Sequence, residues 1–183
     1  MAIQDQYSAV FPQLVTERLI LRELTHNDIP ELIRLRSDTQ VSRYLNRPPG
    51  ITEERAKAFI DKIAISVSAH ESYYWAAALK ENNKLLGCIC FWNIDRKRKY
   101  AEVGFELQPN FQGMGIMGEA LSAILSYGFG VLFFNTVFAY SHPENAASIK
   151  LLERNGFVRD KRYRKNTGVE IRLMLAAVTY LKK

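Results

Sequence analysis

The segment with the clearest chemical potential is a glycine-rich turn, residues 112–118, which lies between an alternating strand pattern and a helical pattern. Glycines at 113, 115 and 118 let the backbone approach a ligand closely. The first N–H groups of the following helix have no partners within it, and they lie at the positive end of its dipole. The turn therefore predicts a cradle for an anion of diphosphate size.

The same turn matches two familiar phosphate-binding patterns only in part. Gly113-x-Gly115-x-x-Gly118 has the spacing of the dinucleotide fingerprint, which also needs an acidic residue at the end of the next strand. The next predicted strand, over residues 135–140, contains no acidic residue. A Walker-type loop is excluded, because no Lys-Ser or Lys-Thr pair follows the glycines.

The composition is typical of a globular protein, with 183 residues of which 48% are hydrophobic and 24% charged. We expect an extension over residues 1–13 and a single domain over residues 14–183, since no linker divides the chain. The first residues lack a basic segment followed by an apolar one, which favours a cytoplasmic location over export. Polar residues and glycines break the uncharged run 120–141, which indicates a buried helix and strand and no membrane partner.

The net charge of +6 suits an anionic ligand, but the basic residues are scattered along the chain. We therefore expect no direct binding of nucleic acid, and the basic runs 96–99 and 159–165 are interpreted as solvated turns. Cys88 and Cys90 share one face of a predicted strand and lack the other ligands of a metal site, so no metal is expected. A covalent acyl route through either thiol is the alternative use of these residues.

Hydrophobic periodicity orders the elements that must position the turn. Two helices separate the first two strands, a third follows the glycines, and a fourth begins after His142 and ends at Asn155-Gly156. The predicted strands cover residues 18–24, 73–79, 85–94, 100–107, 135–141, 157–163 and 169–178. This order predicts an α/β (α+β) fold with a mixed, mostly antiparallel seven-stranded sheet flanked by about four helices.

Three stretches in this order resemble the GCN5-related N-acetyltransferase (GNAT) superfamily, and within it the ribosomal-protein alanine and serine N-acetyltransferases. They are Thr16-Glu-Arg-Leu-Ile-Leu-Arg22, Glu102 to Ala120 and His142 to Phe157, and the match extends over residues 14–178. The resemblance implies the GNAT fold, in which the fourth and fifth predicted strands splay apart. It also implies acetyl-CoA as the co-substrate.

The resemblance further places the diphosphate of acetyl-CoA on the N–H groups of residues 112–118 and its pantetheine arm along the preceding strand. Gly104 is expected to form a bulge in that strand. Met117 departs from the family, which usually has glycine or alanine there. The implied cofactor-binding residues are Phe105, Glu106, Leu107, Gln112, Gly113, Met114, Gly115, Ile116, Met117, Gly118, Asn145 and Ser148.

Acetyl transfer to an amine needs a group that removes a proton from the amine and a donor for the leaving thiolate. Glu102 is the first candidate for the base because it alternates away from the predicted core, and Glu170 is the reserve. By resemblance, Asn145 holds the pantetheine and Ser148 lies near the thioester sulfur as the second catalytic residue. From spacing alone, Asn145 is a helix N-cap.

The predicted function is acetyl-CoA-dependent acetylation of a primary amine, with a protein N-terminal α-amine as the acceptor. A small amine, such as a polyamine, amino sugar or antibiotic, is the alternative acceptor, and a non-catalytic acyl-CoA sensor is the alternative to an enzyme. By resemblance, the acceptor lies near Tyr44, Leu45, Tyr163 and Arg164. The sequence leaves open whether the protein is a monomer or a homodimer.

Overall fold

The computed structural model describes residues 11–45, 47, 50–163 and 170–181. Within these ranges, eight strands form one sheet in the order β1-β2-β3-β4-β5-β6-β8-β7. The strands are β1 (Leu14–Val15), β2 (Leu19–Glu23), β3 (Tyr73–Leu79), β4 (Leu85–Asp95), β5 (Tyr100–Leu107), β6 (Thr136–Ser141), β7 (Val158–Arg159) and β8 (Ile171–Ala176). The helices are α1 (Ile29–Ser37), α2 (Thr39–Ser42), α3 (Glu53–Ser68), α4 (Ile116–Gly130), α5 (Ala146–Arg154) and α6 (Ala177–Tyr180).

The predicted mixed, mostly antiparallel sheet is confirmed, because β5 and β6 are the one parallel pair among the described strands. The eighth strand is β1, a two-residue segment that pairs with β2 and is too short to give a sequence pattern. None of the helices in the described ranges combines the length and apolar character needed to cross a membrane.

Helices cover both faces of the β2–β4 part of the sheet. On one face, the apolar residues of α4 pack against Trp75, Ile89 and Phe91. On the other face, α1 and α3 pack against alternate residues of the same strands, among them Tyr74 and Cys88. Side chains on both faces of this part of the sheet are therefore buried.

The predicted splayed gap lies between β5 and β6. Their parallel pairing begins at Tyr100 and Thr136 and ends at Val103 and Ala139. Beyond this point β6 continues to pair with β8, while β5 continues along β4. The expected bulge at Gly104 is wrong, because Gly104 pairs in regular register with Cys90. The gap forms because the hydrogen-bonded pairing of β5 with β6 ends at Val103 and Ala139.

The C-terminal strands are shorter than predicted. β7 stops at Arg159 because Asp160 begins a turn, in which its carboxylate accepts from the Arg162 N–H at 2.9 Å and its carbonyl from the Tyr163 N–H at 3.2 Å. After β8, the chain forms the short helix α6 where a continued strand was expected. Residues 164–168, which connect the last two predicted strands, and residues 1–10 of the predicted extension lie outside the described residues.

Candidate active site

A cleft of about 620 Å³ opens where β5 and β6 separate, and it extends past the start of α4 and α5 towards α2. The structure brings nearly all the predicted site residues to its walls. These are Glu102, Phe105, Glu106, Leu107, Gln112, Gly113, Gly115, Ile116, Met117, Gly118, Asn145, Ser148 and the reserve carboxylate Glu170. Of the predicted catalytic and cofactor-binding residues, Met114 does not line the cleft, and Tyr163, which was expected near the acceptor, does not line it either.

The glycine turn has the geometry of an anion cradle. Gly113 and Gly115 adopt φ values of 75° and 77°, which residues with a Cβ rarely adopt. Within the described part of the chain, the N–H groups of residues 113–118 have no hydrogen-bond acceptor. A Cβ added at Gly113 would meet nothing within 4 Å, so this backbone faces open space. These observations fit a diphosphate, which accepts several N–H bonds at a helix start.

One N–H group of the predicted cradle, that of Gln112, already has an acceptor within the protein. The Gln112 N–H donates to the Pro109 carbonyl at 3.0 Å, which removes it from the groups that can bind an anion. The Gln112 side chain instead donates to the Leu107 carbonyl at 3.0 Å and thereby ties the turn to the end of β5.

The two methionines of the turn have different environments. Met117 is 5% exposed and packs in the core, so its side chain does not obstruct the anion cradle. Met114 is 59% exposed, and its carbonyl accepts a hydrogen bond from Arg18 at 2.9 Å. The departure from the family pattern at Met117 therefore leaves the backbone of the cradle accessible.

Gly113→Val should weaken binding of CoA at least tenfold, because a β-branched side chain strains the positive-φ backbone and projects into the space in front of the turn. Gly50 is the matched control, since it also has positive φ, 90°, and a Cβ there would also meet nothing within 4 Å. Gly50→Val should carry a similar strain of about 1–2 kcal/mol without changing CoA affinity. Isothermal titration with CoA and urea unfolding measure the two effects, and an equal loss of affinity in both variants would contradict the assignment.

Beyond Val103, the backbone of β5 on the β6 side has no strand partner among the described residues. This edge, formed by Phe105, Glu106 and Leu107, is where an extended arm can lie as a substitute strand. The Glu106 side chain has a different, structural role. It is 8% exposed and forms ion pairs with Arg36 at 3.3 Å and Arg47 at 2.5 Å.

Glu102 is the half-buried carboxylate of the cleft. Burial raises the pKa of its carboxyl above the ordinary value, and the nearby Glu170 carboxylate acts in the same direction. A hydrogen bond with Asn93 and the charge of Arg172 oppose this rise in pKa. A carboxylate with a raised pKa is a better proton acceptor near neutral pH than an ordinary glutamate.

Asn145 and Ser148 lie at the start of α5. Asn145 is the N-cap, and its side-chain oxygen accepts from the Ser148 N–H at 3.1 Å. The capping role expected from spacing is therefore confirmed. Among the described residues, the Ser148 hydroxyl has no hydrogen-bond partner, so it can donate to a group in the cleft.

The cleft also contains residues that the sequence patterns did not predict there. Trp92 and Tyr140 lie on different strands, and the ring of His142 stacks on Tyr44 with centroids 5.4 Å apart. No spacing in the sequence links these residues, because the sheet topology brings them together. Tyr44 and Leu45 line the cleft as predicted, whereas Arg164 lies outside the described residues.

Tyr163 and Arg172 form a cluster of cation–π and ring contacts near Tyr140. The Arg172 guanidinium lies 4.6 Å from the ring centroids of both Phe138 and Tyr163, and it pairs with Asp160. The Tyr163 ring also packs edge-on against Tyr140, at 5.5 Å between centroids. Tyr140 is the member of this cluster that lines the cleft, and the charge of Arg172 acts on the Glu102 carboxyl.

The two cysteines lie on the α1–α3 face of the sheet and do not line the cleft. Burial raises the pKa of the Cys90 thiol to about 12 and raises that of Cys88 further. Both thiols are thus protonated at neutral pH and are poor nucleophiles. The geometry does not favour a covalent acyl route through either cysteine.

Comparison with known proteins agrees with this geometry. A family model described as an acetyltransferase (GNAT) domain matches residues 18–158. The chain is 33% identical over 160 residues to a Bacillus licheniformis protein named uncharacterized N-acetyltransferase p20, covering 85% of this chain and 89% of that protein. It is 26% identical over 148 residues to the ribosomal-protein-serine acetyltransferase of Escherichia coli, covering 79% and 81% of the two chains.

Among solved structures, a spermidine N-acetyltransferase from Vibrio cholerae in complex with CoA and spermine has the same fold. The TM-score is 0.76 at 19% sequence identity, and the superposition covers 91% of this chain and 99% of the other.

Proposed function

Because the chain belongs to the acetyltransferase (GNAT) family and is an N-acetyltransferase, we propose that it moves the acetyl group of acetyl-CoA to the α-amine of a protein N-terminus. One observation carries this proposal. A single cleft holds the anion cradle of the glycine turn, the unpaired edge of β5 and the carboxylate of Glu102. The acetyl donor and the amine can therefore meet between the two strands.

Each residue has one task in the proposed reaction. Glu102 accepts a proton from the amine, directly or through one water, so that the amine nitrogen can attack the acetyl carbon. The C–N bond forms as the C–S bond breaks, and the Ser148 hydroxyl donates a hydrogen bond to the leaving thiolate. Backbone N–H groups of residues 113–118 hold the diphosphate, and the β5 edge orients the arm.

The α-amine is proposed as the acceptor because it is the easier amine to activate. Its reference pKa is about 8, against about 10.4 for lysine, so a single carboxylate suffices to deprotonate it near neutral pH. The similarity to a ribosomal-protein-serine acetyltransferase supports the same class of acceptor.

A polyamine is the second candidate acceptor. Glu102 and Glu170 place two carboxylates in the cleft beside the exposed ring of Trp92, and such a site attracts an amine with a second positive charge. The similarity in fold to a spermidine N-acetyltransferase is consistent with this alternative.

An acceptor screen distinguishes the two candidates. The protein is incubated with acetyl-CoA and either a panel of short peptides with free N-termini or a panel of polyamines and amino sugars. Mass spectrometry then detects a gain of one acetyl group. We expect acetylated peptides, with the label on the α-amine. Turnover of small amines alone would contradict the proposed acceptor while leaving the acetyltransferase chemistry intact.

Ser148→Ala should reduce kcat about tenfold to a hundredfold and change the CoA dissociation constant less than twofold. The physical reason is that the variant loses a hydrogen bond to a developing charge, whereas the backbone contacts remain. Ser122→Ala, on the exposed side of α4, is the matched control and should behave as wild type. Unchanged turnover in Ser148→Ala would show that another group stabilises the thiolate.

A further inference from the structure

The segment before β2 is tied to the glycine turn by a dense set of hydrogen bonds. Glu119, in the first turn of α4, accepts through Oε1 from the Thr16 hydroxyl and from the Arg18 N–H, the latter at 2.8 Å. Glu119 Oε2 accepts from Arg18 Nε at 2.7 Å. Arg18 Nη1 then donates to the Met114 carbonyl at 2.9 Å.

We propose that Thr16, Arg18 and Glu119 form a clamp that positions the Met114–Gly115 peptide for binding the diphosphate of CoA. This inference rests on the proposed use of acetyl-CoA. It gives a task to the Thr16-Glu-Arg-Leu stretch, which the catalytic residues leave unexplained. The three side chains act through the backbone of the turn, so they are positioning residues.

Peptide geometry explains how the clamp works. The described chain contains no cis peptide, and in a trans peptide the C=O and the following N–H point in opposite directions. Arg18 holds the Met114 carbonyl on its own side, so the Gly115 N–H must point to the other side. Gly115 has φ 77° and no Cβ, so steric restriction alone does not hold this peptide in one orientation.

The guanidinium is itself fixed by Glu119. Burial works against ionisation of Glu119, but hydrogen bonds from Thr16 and Arg18 together with the Arg18 charge lower the pKa of its carboxyl below the ordinary value. Glu119 is therefore a carboxylate at neutral pH and holds Arg18 by a charge-assisted bond. Arg18 keeps 42% of its side chain exposed, so burial alone does not hold it in place.

The clamp and simple electrostatics make opposite predictions for Glu119→Gln. Removing a negative charge near the turn should strengthen binding of an anion if charge alone matters. In the clamp, glutamine presents an amide N–H₂ or a weaker acceptor to Arg18, so the peptide is released and CoA binds less tightly.

The test compares Arg18→Gln and Glu119→Gln with the matched charge controls Arg34→Gln and Glu81→Gln, both of which are exposed and outside the cleft. Isothermal titration gives the dissociation constant for CoA. Steady-state kinetics compares acetyl-CoA with acetyl-pantetheine, a donor that lacks the diphosphate, using the acceptor found in the screen. Thr16→Val removes the hydroxyl that bonds to Glu119 and to the backbone of Leu19, and it serves if Arg18→Gln folds poorly.

We expect both clamp variants to raise the dissociation constant for CoA and the KM for acetyl-CoA on the order of tenfold. Their kcat and their KM for acetyl-pantetheine should stay within twofold of wild type, as should all values for the controls. Thr16→Val should weaken CoA binding in the same direction by a smaller factor.

Unchanged or tighter CoA binding in Glu119→Gln would overturn the clamp alone. An equal rise in KM for acetyl-pantetheine and for acetyl-CoA in the clamp variants would also overturn it. A wild-type protein that neither binds CoA nor transfers acetyl from it would overturn the proposed function and the clamp together.

Discussion

Glu102→Gln should lower kcat/KM about 10²–10⁴-fold, the usual contribution of a positioned general base. Glutamine keeps the shape of the side chain but cannot accept the proton of the amine. The dissociation constant for CoA should remain within twofold of wild type, because the diphosphate cradle lies in a different part of the cleft. Steady-state kinetics and titration of CoA into the variant measure both quantities.

The pH dependence of wild type tests the same assignment. A base acts only when deprotonated, so kcat/KM should fall as the pH drops through the pKa of Glu102. Since burial raises that pKa above the ordinary 4.5, this acidic limb should lie at higher pH than for an exposed glutamate. The limb should be absent in Glu102→Gln.

Glu170→Gln provides the control for the base. Because the Glu170 carboxylate raises the pKa of Glu102, its removal should shift the acidic limb to lower pH without abolishing activity. If Glu170→Gln instead removed the limb and the activity, Glu170 would be the base and the role of Glu102 would be wrong.

Glu106→Gln should reduce the free energy of unfolding by about 3–5 kcal/mol, the usual cost of removing one partner from a buried ion pair. Glu106 is the shared anion of Arg36 and Arg47, which are 14% and 25% exposed. The Nε atoms of both arginines are buried without a hydrogen-bond partner among the described residues. Arg36 also lies 3.6 Å above the Phe59 ring, so neither cation can move to water without disturbing its surroundings.

Urea unfolding followed by circular dichroism measures this loss. Glu81→Gln is the matched control, because it removes an exposed carboxylate from a turn and should change stability by less than about 0.5 kcal/mol. Equal stabilities of Glu106→Gln and Glu81→Gln would mean that the two arginines do not depend on the Glu106 carboxylate.

Local patterns were sufficient to predict much of the fold. The strands over residues 73–79 and 100–107 have the predicted bounds, because an aromatic-rich apolar run in the first and alternation in the second are local signals. The end of α5 was also predicted, since Gly156 adopts φ 94° after the helix and Phe157 N–H returns to the Leu152 carbonyl.

Other features depend on contacts between distant parts of the chain. The burial of Glu106 could not be read from β5, because its partners lie in α1 and in the segment after α2. The expected bulge at Gly104 was wrong for a related reason: the gap is set by where the β5–β6 ladder ends, which a single strand does not encode.

The candidate site likewise combines residues that local motifs predict with residues that only the folded chain brings together. The glycine turn, Asn145 and Ser148 form contiguous motifs, and the structure brings them to the cleft. Trp92, Tyr140 and His142 were not assigned, because they come from separate strands and loops without a common spacing. The clamp on Glu119 likewise joins the start of β2 to a helix about 100 residues later in the chain.

The central claim is that the free N–H groups of residues 113–118 hold the diphosphate of CoA. Nuclear magnetic resonance of the ¹⁵N-labelled protein during titration with CoA tests it most directly, because each amide reports its own hydrogen bonding. The largest shifts should occur at the amides of Gly113, Gly115 and Gly118, while the Gln112 amide, already bonded to Pro109, should change little. Saturable shifts confined to other parts of the protein, with these amides unaffected, would contradict the claim.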